Sequence, residues 1–514
     1  MALTLLSAAL FALSFPATSW LPLAWIGLAP LLVALRAGSW RRALLLTWLW
    51  CLAAFALCGD WLVGSTAHYF HQPLPVALAV FFGVITLMAL PYYAAFTVAW
   101  RLLSRRYRRA LPLLAGAAWV AAELARGRLF TGTPFFIGNP WGLLGYSHAD
   151  ILPLVQVASL TGIYGVSFML ACSNAALAEL AMALHAREGL REALLGVASA
   201  LAIAAGVAIH GGVVLRGAAP EPGVSTVPVA VIQGNADVGS RWRSDAYGEN
   251  LDLYLRLTDA AVRRDAPRIV FWPEAALTFF LEEEPLYHRA IAAGLAGADL
   301  QLVTGGPRAD GQGPDAYTNS VFVVEPDGAI GGRYDKEYLV PFAEYFPVGV
   351  DLLRRRFGRI RTFQPGTQRE PVPTRAGPAG ILICNETMLP EAARERVARG
   401  ATYLVNPSND SWITDPKYVE QQLDIAQLRA VEQRRWLVRA STAGPSALVD
   451  PWGRVTARTD PLLPAVLVGQ IRPRSARTPY ARWGDAFGQG CAAVTGLALL
   501  GAWRRPRLPG GGGP

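Results

Sequence analysis

The chain has 514 residues, of which 53% are hydrophobic and 17% charged, and it carries a net charge of +9. A soluble domain has about 25% charged residues, so a wholly soluble protein is excluded, and the basic surplus sits in short loops between apolar stretches rather than in a nucleic-acid patch. Five cysteines without a CxxC pair, and no HExxH, point to neither a disulfide framework nor a zinc site.

Eight apolar stretches follow in order, at roughly 3–15, 21–35, 43–63, 74–100, 111–125, 153–184, 193–215 and 487–503. A helix of about 20 residues crosses a hydrocarbon core about 30 Å thick. The first two stretches are short for that, and read as a tilted hairpin broken at Ser14-Phe-Pro16 or as one span beside an interfacial piece. No basic residue precedes the first stretch, so it is read as a span and not as a cleaved signal peptide. Arginine placement sets the orientation. Arg36, Arg41 and Arg42, then Arg101, Arg105, Arg106, Arg108 and Arg109, then Arg187 and Arg191, then Arg504, Arg505 and Arg507 all fall on one side if the N-terminus is inside. That alternation predicts residues 1–215 as a membrane domain of seven helices and 216–486 as an outer domain. An eighth helix at 487–503 and an inner tail at 504–514 complete it.

Within the apolar half, His68 and His71 lack a carboxylate or thiolate neighbour and make no metal site. Glu123 and Arg126 are three apart and are expected to pair on one helix face. The Pro, Gly and aromatic run from Thr131 to Trp141, with Phe135 and Phe136, reads as an ordered loop at the interface, open to a role in lipid access.

The outer segment changes to short strands and helices. Strands are predicted at 227–232, 268–272, 300–304, 320–324, 329–334, 381–383, 402–405, 436–440 and 465–468, and helices at 245–264, 390–399 and 418–434. Hairpins are expected over Glu325-Pro-Asp-Gly328 and Asp450-Pro-Trp-Gly453. Strands and helices that alternate in this way make a mixed, layered α/β domain. Arg354, Arg355, Arg356, Arg359 and Arg361 form a basic cluster, either a solvated face or a contact for anionic lipid.

Three stretches of this domain carry chemistry. The run Arg268-Ile-Val-Phe-Trp-Pro-Glu274 is an apolar strand that delivers a carboxylate just past its end. The run Tyr334-Asp-Lys336-Glu-Tyr-Leu-Val-Pro-Phe-Ala-Glu344 holds one of the only two lysines in the chain, the other being Lys417. Arginine supplies positive charge everywhere else, so an ammonium here points to a compact charge with a movable pKa. The run Ile381-Leu-Ile-Cys384-Asn-Glu386 ends a strand on a thiol shortly before a helix start, where backbone N–H groups favour a thiolate. A lone cysteine in an apolar run is most often structural. Here a carboxylate and an ammonium, each set by a strand of the same domain, keep it company. Cys384 is also the only cysteine between 216 and 486, which leaves it without an internal disulfide partner.

The FWPE, YDKEYLVPFAEYFP and ICNE runs, with Asn406-Pro-Ser-Asn-Asp-Ser-Trp412, resemble the nitrilase superfamily, and within it the membrane-integrated apolipoprotein N-acyltransferase family. The resemblance implies an αββα sandwich joined to a multi-pass α-helical membrane domain in the bacterial inner membrane, with the sandwich in the periplasm. It implies Cys384 as nucleophile, Glu274 as base and Lys336 as oxyanion partner, with Glu344 and Glu386 as supporting carboxylates that hold Lys336 and shape the site. It further implies a phospholipid acyl donor and, as acceptor, the α-amino group of a lipoprotein's diacylglyceryl-cysteine, with transfer through a thioester on Cys384. Trp242 and Trp412, on loops after strands, are candidates to line the lipid entrance. No metal, cofactor or nucleic acid is expected, and a monomer is. Two other readings remain open: a membrane-tethered amidase that hydrolyses a small C–N substrate with the same three residues, and a non-catalytic scaffold.

Overall fold

The computed structural model describes residues 1–129, 131, 139–219, 223–236, 244–309, 316–341, 343–345, 362–413 and 415–504. Trp242, Phe135, Phe136 and the arginines of the 354–361 cluster lie outside these described residues.

The apolar half is a bundle of helices. Trp40–Cys58, Tyr164–Ala186, Leu190–Arg216 and Ala486–Trp503 are each long and apolar enough to cross a bilayer. Leu74–Met88 and Leu90–Arg106 qualify as one span bent by 42°. The bend falls at Pro91, whose ring removes a backbone donor and crowds the preceding turn. The stretch expected at 43–63 likewise divides, into Trp40–Cys58 and Trp61–His68. The stretch at 21–35 breaks into a 3₁₀ turn, Leu21–Trp25, and the helix Ala29–Arg36. A break inside an apolar bundle exposes backbone groups that lipid cannot satisfy. Asn174 satisfies them from the helix Tyr164–Ala186: its Oδ1 accepts from the N–H groups of Leu28 (2.7 Å) and Ala29 (3.1 Å), and its Nδ2 donates to the carbonyl of Ala24 at 2.8 Å. The expected Glu123–Arg126 pair does not form. Glu123 accepts instead from Trp119 and from the backbone of Leu144, whereas Arg126 donates to the carbonyl of Trp141 and lies over the rings of Phe55 and Tyr93.

Arg36, Arg101 and Arg105 gather at one end of the bundle, and Arg126 and Arg128 lie at the other. Arg36 pairs with Glu179, and Arg101 and Arg105 stack on Trp40. The α/β domain meets the other end.

That domain has two sheets. The first contains β1 (Val227–Gln233), β2 (Ile269–Phe271), β3 (Gln301–Ala309), β4 (Ala316–Val324), β5 (Ile330–Asp335) and a two-residue β6 (Thr362–Phe363). The second contains β7 (Ala379–Ile381), β8 (Tyr403–Ser408), β9 (Leu437–Ser441), β10 (Ala447–Val449) and β11 (Val455–Arg458). The chain then returns to the first sheet as β12 (Ala465–Ile471). The strand orders are β12-β1-β2-β3-β4-β5, with β6 beside β4, and β11-β10-β9-β8-β7. The sheets pack face to face through Val229, Phe271, Val321, Ile381, Val405 and Val438. The other face of the first sheet is covered by helices Tyr247–Asp265 and Pro285–Ala296, and that of the second by Pro390–Ala398 and Pro416–Gln433. Strands β2, β7, β8, β9 and β10 therefore bury both faces, which is why they read as largely apolar runs, whereas the edge strand β11 alternates half-buried and exposed residues. The result is an αββα sandwich.

The helix Pro416–Gln433 belongs to both halves. Leu423, Ala426 and Ala430 pack on the second sheet, while Ile425, Leu428 and Val431 join the core of the bundle. Polar bonds fix the same junction. Lys417 pairs with Asp60 at 2.6 Å, Glu432 accepts from the backbone of Ile163 at 3.0 Å, and Arg128 pairs with Glu391 and Asp485.

Candidate active site

Parallel strands present their carboxyl ends at a common edge, where ligands collect in sheets of this kind. Glu274 follows β2 by three residues, Lys336 follows β5 directly, Cys384 follows β7 by three, and Asn409 follows β8 directly. All four line one cavity of about 360 Å³ together with Glu344.

Lys336 is 1% exposed and has two carboxylate neighbours: Glu344 Oε1 at 2.8 Å and Glu274 Oε1 at 3.5 Å. Burial works to lower the lysine's pKa, but Glu344 and Glu274 outweigh it, and the net shift is upward. The ammonium is therefore charged throughout the working range. Glu274 is shifted up by burial and by Glu344, against the pull of Lys336. A buried carboxylate with a raised pKa is suited to taking and returning a proton. Cys384 is pushed up by burial and by Glu274, with Lys336 opposing. The thiol at rest is thus protonated, and a base must act at the moment of attack.

Asn319 had no distinguishing mark in the sequence. Its Nδ2 donates to Glu274 Oε1 at 2.7 Å and to Glu344 Oε1 at 3.0 Å, and so fixes the two acids around the ammonium. The backbone N–H of Asn409 donates to Glu274 Oε2 at 2.7 Å, and that of Val340 to Glu344 Oε2 at 2.7 Å. Close approach matters as well: a Cβ on Gly305 would stand 2.7 Å from Glu274 Cα, so only glycine fits in β3 at that point.

Cys384 opens a 3₁₀ turn, Cys384–Met388, and its φ is +51°. A non-glycine residue in the left-handed region stores strain of about 1–3 kcal/mol, held by its surroundings. Two groups hold it. Glu386 accepts from Ile383 N at 2.7 Å on one oxygen, and on the other from Tyr334 Oη at 2.7 Å, Glu337 N at 2.8 Å and Tyr338 N at 3.1 Å. Glu386 thus ties the cysteine turn to the segment after Lys336 instead of holding the ammonium itself, which was the expected role; that role falls to Glu344. Asn406 is the second group. Its Nδ2 donates to the carbonyls of Leu382 (2.7 Å) and Cys384 (3.3 Å).

Behind Asn406, Arg439 donates to Asn406 Oδ1 and, at 2.6 Å, to Asp410 Oδ2, with both ion-pair partners fully buried. Ser408 and Ser441 complete the bonds to Asp410. The Asn406–Trp412 run is therefore scaffolding for both Glu274 and Cys384. Asp410→Ala should cost about 3–5 kcal/mol of stability, because it strands a buried guanidinium. A lowered melting temperature of the detergent-solubilised protein checks this, and an unchanged melt refutes it.

Trp412 lines the cavity, as do Tyr317 and Phe363, and two further aromatics come from the helical bundle. Tyr69 and Phe70 close the helix Trp61–His68 and reach over the α/β domain. Behind them Trp141, Trp61, Tyr418 and Trp412 form a row of ring contacts with centroids 5.2, 4.8 and 5.8 Å apart. The bundle thus supplies part of the cavity wall.

Two family models cover most of the chain. Residues 7–176 match the apolipoprotein N-acyltransferase N-terminal domain, and residues 228–480 match the carbon-nitrogen hydrolase domain. The apolipoprotein N-acyltransferase of Geobacter metallireducens is 34% identical over 512 residues, covering 98% of this chain and 96% of that protein. The chain belongs to the apolipoprotein N-acyltransferase family. The enzyme of the same name from Azotobacter vinelandii is 33% identical, with 90% of this chain and 87% of that protein covered. Among solved structures, the carbon-nitrogen hydrolase of Helicobacter pylori covers 55% of this chain and 95% of its own, at 18% identity and a TM-score of 0.39. Glu274, Lys336, Glu344 and Cys384 lie in the hydrolase-matched region, and Tyr69 and Phe70 in the N-terminal one, so one cavity draws on both.

Proposed function

We propose that the chain moves a fatty acyl group from a phospholipid to the α-amine of a lipoprotein's diacylglyceryl-cysteine, through a thioester on Cys384. The observation that carries this reading is the cavity wall: an acid, an ammonium and a thiol share it with aromatics from the apolar bundle. A small soluble substrate would need no such wall.

Glu274 takes the Sγ proton as the sulfur attacks the ester carbonyl. The tetrahedral oxyanion forms beside Lys336 Nζ and a backbone N–H near residue 385. The C–O bond breaks, Glu274 returns the proton to the departing alkoxide, and a lysophospholipid leaves. In the second half the α-amine attacks the thioester, Glu274 takes an amine proton, and the C–S bond breaks. The thiolate is reprotonated and an amide remains. Apolar walls exclude water, which would otherwise hydrolyse the thioester.

Orientation follows the same reading. Arg36, Arg101 and Arg105 at the bundle end opposite the α/β domain, against Arg126 and Arg128 at the near end, support through the positive-inside rule a periplasmic catalytic domain with both termini cytoplasmic. Residues 1–215 then serve as a seven-helix membrane domain, 216–486 as the catalytic domain and 487–503 as the eighth helix, in a chain that works as a monomer.

The test is incubation with phospholipid radiolabelled in its acyl chain and a diacylglyceryl peptide. Label should appear as an amide on the peptide. Label released mainly as free fatty acid, in the presence of acceptor, would instead make the protein a hydrolase like the tethered amidase.

A further inference from the structure

A second cavity, of about 240 Å³, lies at the other side of the domain junction and shares no residue with the active one. Its walls are Trp436, Trp452, Arg454, Arg472 and Arg474, around Asp450. Three guanidinium groups thus face one carboxylate among the described lining residues. That carboxylate is committed. Asp450 Oδ1 accepts from the backbone N–H groups of Trp452 (2.8 Å) and Arg454 (2.9 Å), and Oδ2 from the Arg454 side chain at 3.1 Å. Arg454 and Arg474 both lie over the Trp452 ring, at 5.9 and 5.0 Å. Arg472 has no ion-pair partner among the described residues.

The position of the cavity gives its level relative to a bilayer. Ala218 and Val224 close one side, just past the end of the apolar helix Leu190–Arg216. Gln156, in the bundle, donates to the carbonyl of Trp452 at 2.9 Å. In the same segment Pro153 lies so close to Gly211 that no side chain fits there, which sets the Trp452 hairpin beside the last turns of the helix. Ile209 and Val213, one turn apart on that helix, are 67% and 63% exposed, on the face turned away from Gly211. Tryptophan sits by preference where hydrocarbon gives way to headgroups. Planar guanidinium forks match phosphate oxygens in two-point contacts.

We infer that this cavity binds a phosphodiester of net negative charge, the headgroup of an anionic phospholipid, as a lipid site separate from the one that reacts. The volume suits a headgroup, and the arginine surplus favours an anionic one over a zwitterionic one.

The test uses the full-length Cys384→Ala protein, which forms no thioester, so a failure of the acyl-transfer reading leaves this result interpretable. It is titrated in mild detergent with dihexanoyl phosphatidylglycerol, dihexanoyl phosphatidylethanolamine and inorganic phosphate, and bound species are counted by native mass spectrometry. Phosphatidylglycerol should bind more tightly than phosphatidylethanolamine. Adding Arg472→Glu should weaken one bound phosphatidylglycerol by about tenfold or more, the loss expected for one charge-assisted hydrogen bond. Arg472→Gln should show a smaller loss in the same direction, and serves where the glutamate variant fails to fold. Equal retention by both variants, or equal affinity for the two lipids, overturns the proposal. Inorganic phosphate binding without lipid binding also overturns it, and makes the cavity a free-anion site.

Discussion

Purified wild-type protein should carry a fatty-acyl adduct that Cys384→Ala lacks. In intact-mass analysis the wild type is expected to show a population heavier by one acyl group and sensitive to hydroxylamine. The alanine variant should appear as a single unmodified mass. Transfer to acceptor should fall on the order of 10⁴-fold or more, since losing a covalent nucleophile removes the whole two-step route. The fold should survive. Cys384 is 5% exposed and small, and the turn around it is held by Glu386 and Asn406, neither of which bonds its sulfur. Alanine meets the same positive φ with a Cβ of the same kind. The other four cysteines are buried in the helical bundle and cannot substitute. Peptide mapping should therefore find the adduct at Cys384 alone. An adduct of equal abundance on the alanine variant would remove the thioester from the mechanism.

Glu274 and Cys384 were legible because each follows an apolar strand, and such strands announce themselves by length and branching, whereas Lys336 follows the mixed strand Ile330–Asp335. Lysine's rarity made Lys336 stand out. Asn319 had no such signal. It sits in β4 among Thr318 and Ser320, all buried, and polar residues in a strand normally mark a solvent face. They are inside because Asp335 accepts from Ser320 and Thr318, and because the two acids claim Asn319. Those are tertiary facts. Tyr69 and Phe70 carry no sequence signal for a similar reason: the reach of their loop over another domain depends on packing. The helix breaks were hidden by averaging, since a hydropathy window runs smoothly across Gly59 and Pro91. Asn174 and Ser7, both distant in sequence, bond the backbone of the break after Trp25 and make it tolerable. Local pattern, then, reveals groups delivered by regular elements, and groups recruited by packing stay silent until the elements are assembled.

Glu274→Gln should separate activity from stability. The cavity holds Glu274, Glu344 and Lys336, two carboxylates against one ammonium, so ionising both acids leaves a surplus negative charge in a buried place. Burial is the chief reason Glu274 is shifted upward, with Lys336 pulling against it and Glu344 adding to it. Glutamine keeps the shape and an oxygen for Asn319, gives up the oxygen that accepts from the Asn409 N–H, and cannot take a proton. Loss of a positioned base costs about 10²–10⁴-fold in rate, and the Cys384 thiol, pushed up by burial and by Glu274 itself, forms little thiolate unaided. The wild-type rate should climb as pH rises through the raised Glu274 pKa, above the ordinary value of about 4.3, and the variant's residual rate should lack that step. Stability runs the other way. A carboxyl whose folded pKa lies above its unfolded one favours the fold fully below the unfolded pKa, and that contribution is lost as pH rises through the folded pKa. As pH rises through that folded pKa the wild type loses the contribution, whereas glutamine, neutral at every pH, has no such step. Lys336 meanwhile keeps Glu344 at 2.8 Å. As pH rises, the variant's melting temperature should therefore fall less than that of the wild type, while its transfer rate has collapsed at every pH. A variant that retains both the rate and its acid limb would take Glu274 out of the proton path and leave Glu344 as the base to test.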